Sequence, residues 1–138
     1  MDTHVREAVP ADLGQLLEWS AKFAEWAGVD ADMGDVGHTL LDMMERPGFT
    51  VAMHDTGFIA GGVMPMWMNR AKVAAEELMW WADGNGIALL DHFEKWAADN
   101  GADLVVMIHL PNNGAVLERL YRRKGYAKSD TKFMKVLA

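Results

Sequence analysis

The chain has 138 residues, 51% of them apolar, with a formal charge of −7 and no cysteine, the composition of one folded domain, residues 1–138, rather than of a disordered segment. The lack of cysteine excludes disulfides, thiolate metal sites and covalent acyl transfer through a protein sulfur. The acidic balance argues against nucleic acid as a partner. No apolar run approaches the roughly 20 residues of a membrane span, and MDTHVREAVPAD is too polar for a signal peptide, so no membrane partner and a cytoplasmic location are expected.

In chain order, HVREAV alternates as a first strand, and PADLGQLLEWSAKFAEWA follows with Leu13, Leu16, Leu17, Phe23 and Ala27 near helical spacing. Pro10 just before that helix and Asp12 in its first turn are start signals. DVGHTLLDMMER reads as a second helix stopped by Pro47-Gly48. Three strands are expected in series: FTVAMHD, FIAGGVMPMWM after the turn Asp55-Thr56-Gly57, and KVAAEELMWWA after Asn69-Arg70.

The abrupt turn Asp83-Gly84-Asn85-Gly86 then opens a helix to about Asn100, with Leu89, Leu90, Phe93, Trp96 and Ala97 on one face and Gly101 as its left-handed cap. ADLVVMIHL reads as a strand buried on both faces. A helix AVLERLYRRK and a closing pair of strands, YAKSD and TKFMKVL, complete the chain. Consecutive strands followed by strand-helix-strand imply a mixed α/β sheet with helices on its faces. The crossover after ELMWWA is expected to be right-handed and parallel. That puts the glycine turn at the carboxyl end of a parallel strand, where ligands of open sheets bind.

The element order, with LLDHFEKWAADNGADLVVM after a glycine turn, RLYRRKGY and the closing TKFMKVL, resembles the GNAT superfamily of acyl-CoA-dependent N-acetyltransferases over almost the whole chain. The Trp-Trp and Glu-Glu run is also similar to small phage-encoded members. The resemblance implies a largely antiparallel sheet of about seven strands with helices on both faces. It also implies acetyl-CoA as co-substrate, an amine-bearing acceptor and no metal, and leaves a homodimer open.

The family's pyrophosphate cradle reads Gln/Arg-x-x-Gly-x-Gly/Ala. It can be laid here on Gly84 and Gly86, with Trp81 at the polar position, or on Gly86 and Ala88, with Asp83 there. Neither register supplies a cation, and a carboxylate beside pyrophosphate is repulsive. Backbone donors at a helix N-terminus remain. The resemblance assigns Gly84, Asn85, Gly86, Ile87 and Asn113 to the coenzyme, Asn113 being equally readable as a helix cap. A main-chain N–H near Trp81 or Ala82 would polarise the thioester carbonyl.

Tyr121 in RLYRRKGY matches the family's general acid, and its phenol can equally be a packed helix residue. Glu77 lies near the position of the glutamate base in the histone-acetylating branch, with Glu76 on the opposite face of the strand. Trp67, Trp80 and Trp81 are placed to wall an acceptor pocket. His92 and His109 lack the i, i+4 partner of a helical metal site. The rival reading is a GNAT-like module that no longer binds coenzyme A.

Overall fold

Strand β1 (Arg6–Glu7) leads through a 3-10 turn at Pro10–Asp12 into helix α1 (Leu13–Ala27), followed by α2 (Met33–Glu45). The computed structural model describes residues 4–110, 114–129 and 132–137. The start of α1 is fixed by Asp12, whose carboxylate accepts two bonds from the Arg6 guanidinium at 2.8 Å and one from Val9 N–H at 2.9 Å. The Arg6 hydrogen bonds, then the Val9 N–H, hold Asp12 down at a pKa of about 2. Gly28 closes α1 with φ 70°, and Asp32 caps α2 by accepting Asp35 N–H at 3.0 Å.

Strands β2 (Phe49–His54), β3 (Gly57–Met66) and β4 (Asn69–Ala82) form an antiparallel meander. Helix α3 (Gly86–Asp99) crosses over to β5 (Leu104–Val106), which lies parallel to β4. Sheet order is β1-β2-β3-β4-β5. Apolar residues of α1 and α2 (Leu16, Trp19, Leu40, Met43) pack on one face with Val51, Phe58 and Ala60. Leu89, Phe93 and Ala97 of α3 pack on the other with Ala52, Ile59 and Ala75. The expected helices, meander and parallel crossover are therefore present, and Gly101 is left-handed with φ 81°.

The chain divides into two compact units, Met1–Ile108 and His109–Ala138. The second contains α4 (Gly114–Arg123). Its Lys124 N–H and Gly125 N–H continue the turn onto the carbonyls of Leu120, Tyr121 and Arg122, and Gly125 closes it with φ 91°.

The sheet has five strands among the described residues, not about seven. Neither 126–129 nor 132–137 is a strand. In TKFMKVL the apolar residues fall in adjacent pairs, Phe133-Met134 and Val136-Leu137, so no period-two face collects them, and all four are exposed. Strand β5 is also shorter than the apolar run ADLVVMIHL and is not buried on both faces, since Leu104 and Ile108 are exposed. It pairs on one side only among the described residues, as an edge strand does. No helix among the described residues is long and apolar enough to cross a membrane.

Candidate active site

Strand β4 carries a bulge that decides the face of its acidic pair. Ala60 and Gly61 of β3 are neighbours, yet they pair with Met79 and Glu77, which leaves Leu78 unpaired. Opposed residues of an antiparallel pair share a face. Gly61 faces Phe93 of α3, so Glu77 lies on the α3 face; Gly62 faces Phe49, so Glu76 lies on the α1/α2 face. Past the bulge the phase reverses, with Met79 and Trp81 toward α1 and α2 and Trp80 and Ala82 toward α3.

Glu76 is exposed, whereas Glu77 is 7% exposed. Pairing between β4 and β5 ends at Glu76 and Val106. Immediately beyond, Ile108 donates its N–H to Glu77 Oε1 at 3.2 Å. Burial pushes the Glu77 carboxyl up to about 7, against the Ile108 N–H that draws it down. From Leu78 to Ala82 no strand pairs with the second edge of β4 among the described residues.

The glycine turn joins this strand to α3. Gly84 has φ 113° and Asn85 is left-handed at φ 52°, conformations that Gly and Asn adopt most readily. The turn is tied to the β2–β3 hairpin by three bonds. Asp83 N–H donates to Thr56 O at 2.8 Å, and Thr56 Oγ1 donates to Gly84 O at 3.0 Å. His54, 4% exposed, supplies the third. Its Nδ1 accepts Thr56 N–H at 3.0 Å, which leaves the ring proton on Nε2 to be donated to Asn85 O at 3.0 Å.

In a trans peptide the N–H points opposite to the C=O. With the Gly84 and Asn85 carbonyls drawn to the hairpin, the N–H groups of Asn85 and Gly86 point away from it. Ile87, next in α3, belongs to the first turn, whose N–H groups have no carbonyl partner within the helix. Asp83 is exposed, and the turn from Asp83 to Ala88 contains no Lys or Arg.

On the α2 face, a groove of about 360 Å³ runs between Asp30, Asp32 and Asp35 at the start of α2 and Leu78-Met79 at the bulge. The three tryptophans do not wall a common pocket. Trp67 is 86% exposed beside the β3–β4 turn, Trp80 packs toward α3, and Trp81 packs toward α1 with an edge contact to Trp26 at 6.5 Å. The Trp81 indole N–H is buried and makes no hydrogen bond among the described residues.

In the second unit Tyr121 is 8% exposed. Its ring lies 5.3 Å from that of Tyr126 and 6.4 Å, edge on, from that of His109. Tyr126 N–H returns to Tyr121 O at 2.9 Å. The Gly-aromatic pair of RLYRRKGY thus folds back on the tyrosine that precedes it. Asn113 lies outside the described residues. Among the described residues, no group of three or more His, Cys, Asp or Glu could hold a metal ion.

His54 and the side chain of Thr56 carry no role in the reading of the sequence. The signal that marks them is a histidine ending an apolar strand directly before Asp-Thr-Gly.

No protein-family model matches the chain, and no curated protein matches it in sequence. Solved structures match it in shape. A transcriptional regulator from Bacillus halodurans C-125 superposes with a TM-score of 0.81 at 14% identity, covering 99% of this chain and 100% of its own. An acetyltransferase of Trypanosoma brucei gives 0.75 at 15% identity, with 99% and 100% covered. A protein of Clostridium acetobutylicum, described as a predicted acetyltransferase and solved with acetyl-CoA, gives 0.75 at 12% identity, with 99% and 96% covered. The chain has the fold of the GNAT acetyltransferases.

Proposed function

We propose that the chain is an N-acetyltransferase that moves an acetyl group from acetyl-CoA directly to an amine. The observation that carries this reading is the glycine turn. Its carbonyls are tied to the hairpin, its Asn85 and Gly86 N–H groups point the other way, and it joins the end of β4 to the first turn of α3. Such a turn fits a pyrophosphate through backbone donors and the helix dipole, with no side-chain cation required. Asn85, Gly86 and Ile87 would hold the phosphates, with Gly84 giving the turn its shape. Asn113 would add a further contact to the coenzyme. A main-chain N–H near Trp81 or Ala82 would polarise the thioester carbonyl.

Acetyl-CoA supplies the thioester; the chain supplies proton management. A base that titrates near neutrality suits an amine acceptor, and Glu77 is raised to about 7 by burial. Glu77 would take the proton from the acceptor nitrogen as its lone pair forms the C–N bond. The C–S bond breaks, and the Tyr121 phenol gives its proton to the departing sulfur. A phenol near pKa 10 and an alkyl thiol of about 8.5 share that proton without a large penalty. The reading places the protein in the cytoplasm, where acetyl-CoA is at hand.

A second reading, a GNAT-fold module that no longer binds coenzyme, is favoured by Asp83 and by the lack of a cation in the turn. Calorimetric titration with acetyl-CoA, with desulfo-CoA as a control, separates the two. Micromolar affinity, about 8 kcal/mol, is the expected result. No heat at several temperatures overturns the enzyme reading in favour of the module.

A further inference from the structure

His54 takes no part in the chemistry above, yet it is buried and both ring nitrogens are engaged. One nitrogen organises its own hairpin turn through Thr56 N–H, and the other reaches across to the glycine turn through Asn85 O. The Asn85–Gly86 peptide is the unit whose orientation decides the sign of the turn. With its carbonyl toward the hairpin it offers N–H outward. Rotated by half a turn it would offer a carbonyl oxygen, which repels phosphate. Such a rotation would carry Asn85, the N-cap of α3 at φ 52° and ψ 42°, into a region that glycine alone favours. The bond from Nε2–H adds a side-chain hold on the same carbonyl.

We propose that His54 is a positioning residue for the anion-binding turn, its neutral Nε2–H tautomer holding the Asn85 carbonyl so that Gly86 N–H faces a phosphate. Thr56 assists at the preceding peptide through Gly84 O. The proposal rests on the coenzyme reading for its ligand but not for its geometry. Asn85 and Gly86 amide orientation can be followed without ligand.

Two variants divide the functions of the ring. In His54→Gln the side-chain amide nitrogen sits near the place of Nε2 and keeps the donor to Asn85 O, while the acceptor for Thr56 N–H is lost. In His54→Asn the side-chain oxygen sits near Nδ1 and keeps the Thr56 bond, but nothing reaches Asn85. Amide NMR spectra of the free proteins are recorded first, followed by titration with coenzyme A. Gly86 N–H is expected to keep its chemical shift and slow exchange in His54→Gln and to lose both in His54→Asn. Coenzyme affinity should fall about tenfold in His54→Asn and less than about threefold in His54→Gln, the loss of one orienting hydrogen bond.

A residue needed only for the hairpin would give the reverse order, with Asn the better substitute, and that result overturns the proposal. So does an unchanged Gly86 amide in both variants. If the parent protein binds no coenzyme A, the reading under Proposed function fails, while the amide spectra still decide the role of His54.

Discussion

Ile108 N–H reaches Glu77 Oε1 at 3.2 Å just beyond the last paired residues of β4 and β5. Where that ladder stops, the Glu77 side chain takes up a main-chain donor of the segment that follows β5. It does so at 7% exposure, which is why the group resists ionisation.

The Glu77 carboxyl, raised from 4.5 to about 7 in the folded chain, binds more protons there than in the unfolded chain between those values. Its contribution to stability is therefore full below the unfolded pKa and is lost as pH rises through the folded one. The loss is on the order of 3 kcal/mol. Glu77→Gln removes that slope. Urea denaturation should find the variant the more stable of the two at about pH 8, with the gap narrowing toward about pH 5. Acetyl transfer should rise through about pH 7 in the parent protein and fall by about 10²-fold in the variant.

Tyr121→Phe tests the acid separately. The ring contacts with Tyr126 and His109 survive the change, so folding is expected to be kept. Turnover should drop by about 10²-fold with the affinity for coenzyme A within about a factor of two. Steady-state kinetics alongside calorimetry checks it, and unchanged turnover removes Tyr121 from the mechanism.

Gly61 tests the packing beneath the site. A Cβ there would strike the Glu76 carbonyl oxygen and come within 2.7 Å of two Phe93 ring carbons. The carbonyl belongs to the β3–β4 ladder and cannot yield without breaking it. Gly61→Ala should cost about 3 kcal/mol, measured by chemical denaturation.

Much of the fold is legible in the sequence because the helices announce themselves twice, by apolar spacing and by caps. Leu89, Leu90, Phe93 and Ala97 recur at helical intervals and all are buried. Trp19, three residues after Leu16 and four before Phe23, fits the same spacing and is buried, although the expected apolar face of α1 does not include it. The tail misleads because TKFMKVL has the composition of a strand without the alternation that gives a strand one face to bury. The tryptophans mislead for another reason. Adjacent Trp80 and Trp81 must lie on opposite faces of any strand, so only one of them could wall a given pocket.

The site is legible as a location and not as a geometry. Asp-Gly-Asn-Gly marks a turn at a strand end, but its hold on the hairpin depends on His54, which β3 and β4 separate from Asp83 along the chain, and no local pattern carries that distance. Nor does composition reveal which of Glu76 and Glu77 is buried, since the answer follows from the pairing of Gly61.

Leu78 makes β4 two half-strands of opposite parity. Removing that single residue would set Met79 directly after Glu77, opposite the adjacent Ala60 and Gly61, and would leave Trp80 facing α3 and Trp81 facing the helix pair as they do now. Removing a paired residue of the outer half would instead carry its neighbours to the opposite face, so the place where this strand can lose a residue is set by one unpaired leucine.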